Sequence, residues 1–178
     1  GIDHLMPVDV GDPHALAAKA DNQPNEKHMK DWLARTCELV DNYKPEVVWF
    51  DWWIEEPAWV PYIQKFAAFY YNRGAEWGKP TAINYKKNAF PEKAAVYDIE
   101  RGKLDQLRPY VWQTDTSIGL KSWSYIEGET FRSANSLVDD LIDITSKNGL
   151  LLLNIGPRAD GTIPDEVRTT LLDIAKWL

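Results

Sequence analysis

The stretch "VVWFDWW" at residues 47–53 places one aspartate, Asp51, in a run that is otherwise apolar and aromatic. Such a run is typical of a strand that is buried on both faces, as the strands of parallel sheets are. The stretch "LLLLNIG" at 150–156 has the same character and predicts the most deeply buried strand of the chain. An ionised carboxylate beside a buried strand is costly unless it is paired, hydrogen-bonded or needed for chemistry. Asp51 therefore marks either the point where the strand reaches the surface or a site of chemistry.

Helical patterns alternate with the apolar runs along the chain. Apolar residues recur at helical spacing over about 25–43 and again from about 60 to an end near Gly74. Further strands are predicted in "KPTAINY", "AAVYDIE" and "PYVWQTDTS". A helix over about 136–147 ends at "NG", which favours a left-handed cap, and the last helix starts at Pro164 with acidic residues in its first turn.

This alternation predicts an α/β fold of parallel strands, either part of a (β/α) barrel or an open doubly wound sheet. About five strands and four helices are too few to close an eight-stranded barrel. No glycine-rich phosphate loop supports a nucleotide-binding open sheet. Because the chain starts in an irregular segment, residues 1–23, and stops on a helix, we expect it to be part of something larger.

Composition excludes several classes of function. The 178 residues carry a formal net charge of −7 without a basic stripe, which argues against nucleic acid and against an anionic membrane surface as partners. No apolar run is long enough to span a membrane. The single cysteine, Cys37, excludes an internal disulfide, and His4, His14 and His28 show no metal-ligand spacing. We therefore expect neither a metal nor another cofactor.

Polar side chains follow the predicted strands, and in a parallel barrel the chemistry lies where strands end at their C-terminal face. Asp51 ends the first strand, with Trp49 on the same side. The other polar or ionisable strand-end residues are Asn84, Tyr85, Lys86, Asp98, Glu100, Gln113, Asp115 and Asn154. Two carboxylates on neighbouring strand ends meet the basic demand of glycoside hydrolysis, in which one attacks or stabilises the anomeric carbon and the other protonates the leaving oxygen. Nine tryptophans and eight tyrosines fit a sugar site, although a tryptophan belongs to the core more often than to a ligand site.

Four blocks in the right order resemble the catalytic domain of the α-L-fucosidases, glycoside hydrolase family 29: "VVWFDWW", "VYDIERG", "WQTDTSIGLKSWSY" and "SKNGLLLLNIGPRADGTIP". The similarity runs from about residue 25 to the end. It implies that residues 1–178 are the C-terminal part of a catalytic (β/α) TIM-like barrel, without the first barrel strands and without the β-sandwich that often follows. It also implies an exo-acting, retaining α-L-fucosidase that releases terminal L-fucose through a covalent glycosyl-enzyme intermediate.

The resemblance also implies roles for individual residues. Asp51 is then the nucleophile and Glu100 the acid/base, while Trp49 and Trp123 line the fucose pocket, Trp123 on the apolar C5-methyl side. Lys86 stands near the position of a sugar-binding arginine in some relatives, and a lysine cannot make the two-pronged donation of an arginine. Glu55, Glu56 and Glu127 compete with Glu100 for the role of acid/base.

The family resemblance sets the remaining expectations. The substrate is a fucosylated oligosaccharide or glycoconjugate, and a periplasmic, extracellular or lysosome-like compartment is favoured. We expect the chain to need the other barrel half and to be inactive without it. A different possibility is a non-catalytic carbohydrate-binding or scaffold α/β fragment, although carbohydrate-binding modules are usually β-sandwiches and this chain alternates strands and helices.

Overall fold

A computed structural model describes residues 26–178 of the chain. The predicted loop at 1–23, with His4 and His14, lies outside the described residues. The chain divides into two compact units, Gly1–Ala95 and Val96–Leu178, which we describe separately. No helix within the described range combines the length and the apolar character that crossing a membrane requires.

Within residues 26–95, the first unit contains two α-helices and two parallel strands. In chain order they are α1 (Glu26–Tyr43), β1 (Val47–Trp49), α2 (Val60–Trp77) and β2 (Ala82–Tyr85). Trp49 lies opposite Asn84 in the register of β1 and β2, and the Phe50 N–H donates to the Asn84 carbonyl at 2.9 Å, which extends the pairing beyond β1. Aromatic rings fill the space between this sheet and its helices. The centroid of the Phe50 ring lies 5.2 Å from that of Phe66 and 5.5 Å from that of Trp32. The residue before Asp51 is therefore held by a main-chain hydrogen bond to β2 and by the packing of its ring against the helices.

Helix α2 ends later than the sequence predicts. It passes through Gly74 and continues to Trp77, where Gly78 caps it in the left-handed conformation with φ of 64°. Gly74 has a different function, because a Cβ there would lie 2.5 Å from the Thr81 hydroxyl oxygen. The prediction was wrong because two glycines near a helix end look alike in sequence, while only one of them has the positive φ of a cap.

The second unit contains three parallel strands and two helices. They are β3 (Val96–Glu100), β4 (Trp112–Ser117), α3 (Ala134–Ser146), β5 (Gly149–Asn154) and α4 (Asp165–Trp177). The register pairs Glu100 with Asp115 and Ser117 with Asn154. Helix α3 starts two residues before the predicted position because Ser133 caps it, its hydroxyl accepting the Ser136 N–H at 3.2 Å. After α3, Asn148 has φ of 66°, as the "NG" sequence predicts.

Strand β5 is not buried on both faces within the described residues, so that prediction was wrong. Leu153 packs against a core of Ile118, Leu137 and Val167 under the two helices. Leu150 and Leu152 point to the opposite face and are 52% and 47% exposed. Strand β1 likewise has Val47 55% exposed. Side chains alternate across a strand, so an apolar run shows that both faces are apolar but not that both are covered.

Candidate active site

Asp51 lies in the turn that follows β1 and is exposed. One of its carboxylate oxygens accepts the Trp52 N–H at 2.8 Å. The bond from Phe50 to Asn84 anchors the residue before it, so the carboxylate projects from the C-terminal end of a fixed strand. Because Asp51 reaches the surface, the chain does not bear the cost of burying its charge, and the carboxylate is accessible to a ligand.

Trp49 and Lys86 lie together at the ends of β1 and β2. The Lys86 ammonium is 5.3 Å from the centroid of the Trp49 ring, within the range of a cation–π contact. Lys86 is only 5% exposed, whereas Trp49 is 37% exposed. Lys86 is therefore a buried side chain beside an accessible indole, in the same unit as Asp51.

Glu55 is poorly suited to the role of general acid. Its carboxylate accepts the Trp53 N–H at 2.5 Å and pairs with the Lys87 ammonium at 2.5 Å. Burial favours a raised pKa of Glu55, but the hydrogen bonds from Lys87 and the backbone outweigh it and hold the pKa below its ordinary value. A glycosidase acid needs a raised pKa to stay protonated near neutral pH, so these contacts argue against Glu55.

Glu100 is the last residue of β3 and is exposed. The next residue, Arg101, has φ of 51°, and its N–H donates to the Asp115 carbonyl at 2.8 Å. The Thr114 hydroxyl oxygen lies 2.8 Å from the carbonyl oxygens of both Ile99 and Gly102. The strand therefore ends at Glu100 in a turn that β4 holds on both sides. Glu56 and Glu127, which compete with Glu100 for the acid/base role, are exposed residues of separate loops.

Arg101 also contacts Trp123. Its guanidinium carbon lies 4.0 Å from the centroid of the Trp123 ring, and the indole is half-buried. Trp123 and Asn154, the last residue of β5, line a cavity of about 10 Å³, which is water-sized. The second unit therefore joins Trp123 to the turn that carries Glu100.

The loop that carries Trp123 is held by Glu129. The Glu129 carboxylate accepts three backbone N–H groups at 2.7–3.1 Å, those of Lys121, Ser122 and Thr130. Burial favours a raised pKa of Glu129, but these backbone donors hold the pKa below its ordinary value. Gly156 approaches the same loop with φ of 51°, and a Cβ there would lie 3.4 Å from the Trp123 carbonyl oxygen. Trp123 is thus presented by an ordered loop.

Each unit brings some of the predicted site residues together. The first contains Trp49, Asp51 and Lys86, and the second contains Glu100 and Trp123. Sequence reasoning missed Arg101 and Glu129. A signal for Arg101 was present, because an arginine between a strand-end acid and a glycine in "ERG" occupies a turn. Within residues 26–178, no group of three His, Cys, Asp or Glu side chains is arranged to hold a metal ion.

Comparisons with known proteins agree on one family. The family model described as Alpha-L-fucosidase matches residues 4–178. Tissue alpha-L-fucosidase of Rattus norvegicus is 29% identical over 152 residues, covering 79% of this chain and 32% of the relative. The alpha-L-fucosidase of Branchiostoma floridae is 30% identical over 174 residues, covering 93% of this chain and 38% of the relative. The chain therefore spans about a third of the length of these relatives.

A solved structure supports the same family. The crystal structure of the Thermotoga maritima alpha-fucosidase in complex with fucose superposes with a TM-score of 0.75 at 29% identity, covering 99% of this chain and 38% of that one. This match confirms the predicted fold class, an α/β fold that is part of a TIM-like barrel.

Proposed function

The chain belongs to the alpha-L-fucosidase family, and from this premise we propose that it acts as part of an exo-acting, retaining α-L-fucosidase. The enzyme releases terminal L-fucose from fucosylated oligosaccharides or glycoconjugates through a covalent glycosyl-enzyme intermediate. The observation that carries the proposal is the exposed Asp51 carboxylate at the C-terminal end of β1, in a chain that matches the family over residues 4–178.

Asp51 is the nucleophile in this proposal. Its carboxylate attacks the anomeric carbon of fucose and forms an ester, and the bond to the aglycone breaks. The Trp52 N–H donates to one carboxylate oxygen at 2.8 Å and orients the group. Lys86, buried at the end of the next strand, contacts the sugar together with Trp49.

Glu100 is the acid/base. It protonates the glycosidic oxygen as the ester forms, and it later takes a proton from the water that hydrolyses the ester. The turn at Arg101 keeps Glu100 at the end of its strand. Trp123 packs against the apolar C5-methyl side of fucose, and no step requires a metal or a cofactor.

The decisive experiment is Asp51→Gly in the complete enzyme, assayed on an activated aryl α-L-fucoside. We expect kcat to fall by several orders of magnitude while fucose still binds. Added azide should restore turnover by entering the vacated space and attacking the anomeric carbon, which gives a fucosyl azide of inverted configuration. Asp105→Ala, at an exposed loop acid, is the matched control and should keep normal turnover. Near-normal turnover of purified Asp51→Gly would contradict the nucleophile assignment.

Glu100→Ala tests the acid/base with a series of leaving groups. We expect a large loss on fucosides with poor leaving groups and a small loss on activated aryl fucosides, which need little protonation. An equal loss across the series would assign the role to Glu56, Glu127 or another acid. A wild-type protein that binds fucose but hydrolyses none of these substrates would instead support a non-catalytic, carbohydrate-binding function.

A further inference from the structure

The loop that follows Asp51 contains unusual backbone conformations. Trp53 has φ of 107°, and Lys87, after the end of β2, has φ of 57°. Positive φ is uncommon for residues other than glycine and is a strong outlier for a bulky side chain such as that of tryptophan. Such strain persists only where surrounding contacts enforce it, and it is concentrated at functional sites.

Four residues form a closed network that enforces this strain: Trp52, Trp53, Glu55 and Lys87. The Trp53 N–H donates to one Glu55 oxygen at 2.5 Å, and the other Glu55 oxygen pairs with the Lys87 ammonium at 2.5 Å. The Lys87 ammonium lies 4.8 Å from the Trp52 ring centroid, and the Trp52 and Trp53 rings stack at 4.3 Å with 13° between their planes. Each of the four residues therefore contacts two others of the network, and these contacts restrict its conformation.

The Trp52–Trp53 pair is not simply part of the core. Both indoles are half-buried, so each exposes part of its surface, while Lys87 is 54% exposed at the outer side of the network. Asp51 accepts its hydrogen bond from the Trp52 main chain, which ties the pair to the carboxylate. Rigid aromatic groups bind ligands with little loss of conformational entropy, and indole rings stack well on the apolar C–H faces of sugars.

We propose that the Trp52–Trp53 pair binds the group that is attached to fucose, either a second sugar ring or an aromatic aglycone. This inference rests on the proposed function, because Asp51 as nucleophile fixes the anomeric carbon near the pair. The fucose ring itself is assigned to Trp49 and Trp123. The pair lies in a loop after a strand end, the kind of loop that surrounds barrel active sites, and its partner Lys87 faces solvent. The pair thus belongs to the outer part of the site, where the aglycone projects, and Glu55 and Lys87 position it.

Three substrates of the complete enzyme separate the aglycone from fucose: α-L-fucosyl fluoride, an aryl α-L-fucoside and a fucosyl disaccharide. We expect Trp53→Ala to lower kcat/KM for the disaccharide about tenfold or more, as the loss of an aromatic anchor does. The same variant should change the fluoride value less than about twofold, since fluoride offers the pair nothing to bind. Trp53→Phe keeps an aromatic ring and should lie between wild type and alanine. Lys87→Met, which breaks the network, should show the same substrate dependence to a smaller degree.

Trp177→Ala, at an exposed tryptophan of α4, is the matched control and should leave all three values unchanged. Equal losses on the fluoride and the disaccharide in both Trp53 variants would assign the pair to the fucose pocket or to the fold and overturn the proposal. A wild-type enzyme that hydrolyses none of the three would contradict the proposed function instead. Calorimetric titration with the disaccharide and with fucose would then test the pair, and equal disaccharide affinity of wild type and Trp53→Ala would overturn it.

Discussion

Removal of the Arg101 side chain should weaken the fixation of Trp123 while leaving the turn at Glu100 in place. The guanidinium carbon lies 4.0 Å from the Trp123 ring centroid, well inside the roughly 6 Å limit of a cation–π contact. Because Arg101 is exposed, this contact contributes about 0.5–1 kcal/mol. That free energy corresponds to a loss of about two- to fivefold in kcat/KM if Trp123 contacts the sugar in the transition state. The main-chain bond from Arg101 to Asp115 does not depend on the side chain, so Glu100 should keep its position.

A double-mutant cycle measures this coupling directly. Arg101→Ala, Trp123→Ala and the double variant are compared by kcat/KM on an aryl α-L-fucoside, and the effect of Arg101→Ala should disappear when Trp123 is already alanine. Arg101→Lys keeps the charge but loses the planar stack and should recover only part of the loss. Arg158→Ala removes a cation 5.5 Å from the Tyr125 ring and serves as the matched control. Additive losses in the double variant would refute the coupling.

Three further predictions concern stability. Gly149→Ala should lower Tm by several degrees, because its Cβ would lie 2.6 Å from the buried Trp112 ring and overpacking costs about 1–3 kcal/mol; an unchanged Tm would contradict the tight packing. Burial favours a raised pKa of Asp140, but the Lys103 and Arg132 cations hold the pKa below its ordinary value of 3.8. Its stabilising contribution is therefore present above pH 3.8 and is lost as pH falls through the folded-state pKa, so Asp140→Asn should flatten the acid side of a Tm–pH curve. Burial raises the pKa of Tyr70 from 10.0 to about 12, so wild-type stability should fall from pH 10 towards 12 in urea titrations. Tyr70→Phe should show a smaller fall, because Tyr71, whose pKa burial also raises, contributes to it as well. The variant should also lose about 1 kcal/mol at neutral pH with its hydrogen bond to a main-chain carbonyl.

The sequence predicts the order and type of the elements because local periodicity and capping decide them. The "NG" after α3 predicts the left-handed Asn148, and Pro164 with its acidic neighbours predicts the start of α4. The exposure of Leu150 and Leu152 could not be predicted, because it depends on which segments cover each face of β5 rather than on β5 itself. The prediction of where α2 ends was wrong for a related reason, because the close approach of Gly74 to Thr81 is a contact between two segments.

The candidate site shows the same division between local and tertiary information. The family resemblance of the motifs that contain Asp51 and Glu100 predicts their roles, and both assignments stay predictions. The function of Glu55 could not be read from sequence, where it is one acid among several near Asp51. Its pairing with Lys87 depends on the parallel alignment of β1 and β2, which places their following loops side by side. Only that tertiary contact separates an acid that orders a loop from an acid that transfers a proton.

The two candidate catalytic carboxylates have similar local surroundings. Each projects from a strand end, and each is followed within two residues by a non-glycine with positive φ, Trp53 in one unit and Arg101 in the other. In each case a cation lies over an indole nearby, Lys87 over Trp52 and Arg101 over Trp123. Backbone strain beside each carboxylate is thus offset by contacts that also fix an aromatic ring. A glycine in place of Arg101 would relieve the strain at φ of 51° but would also release the indole. Arg101→Gly should therefore have a higher Tm than Arg101→Ala. It should be no more active than Arg101→Ala, because both variants lack the guanidinium that contacts Trp123.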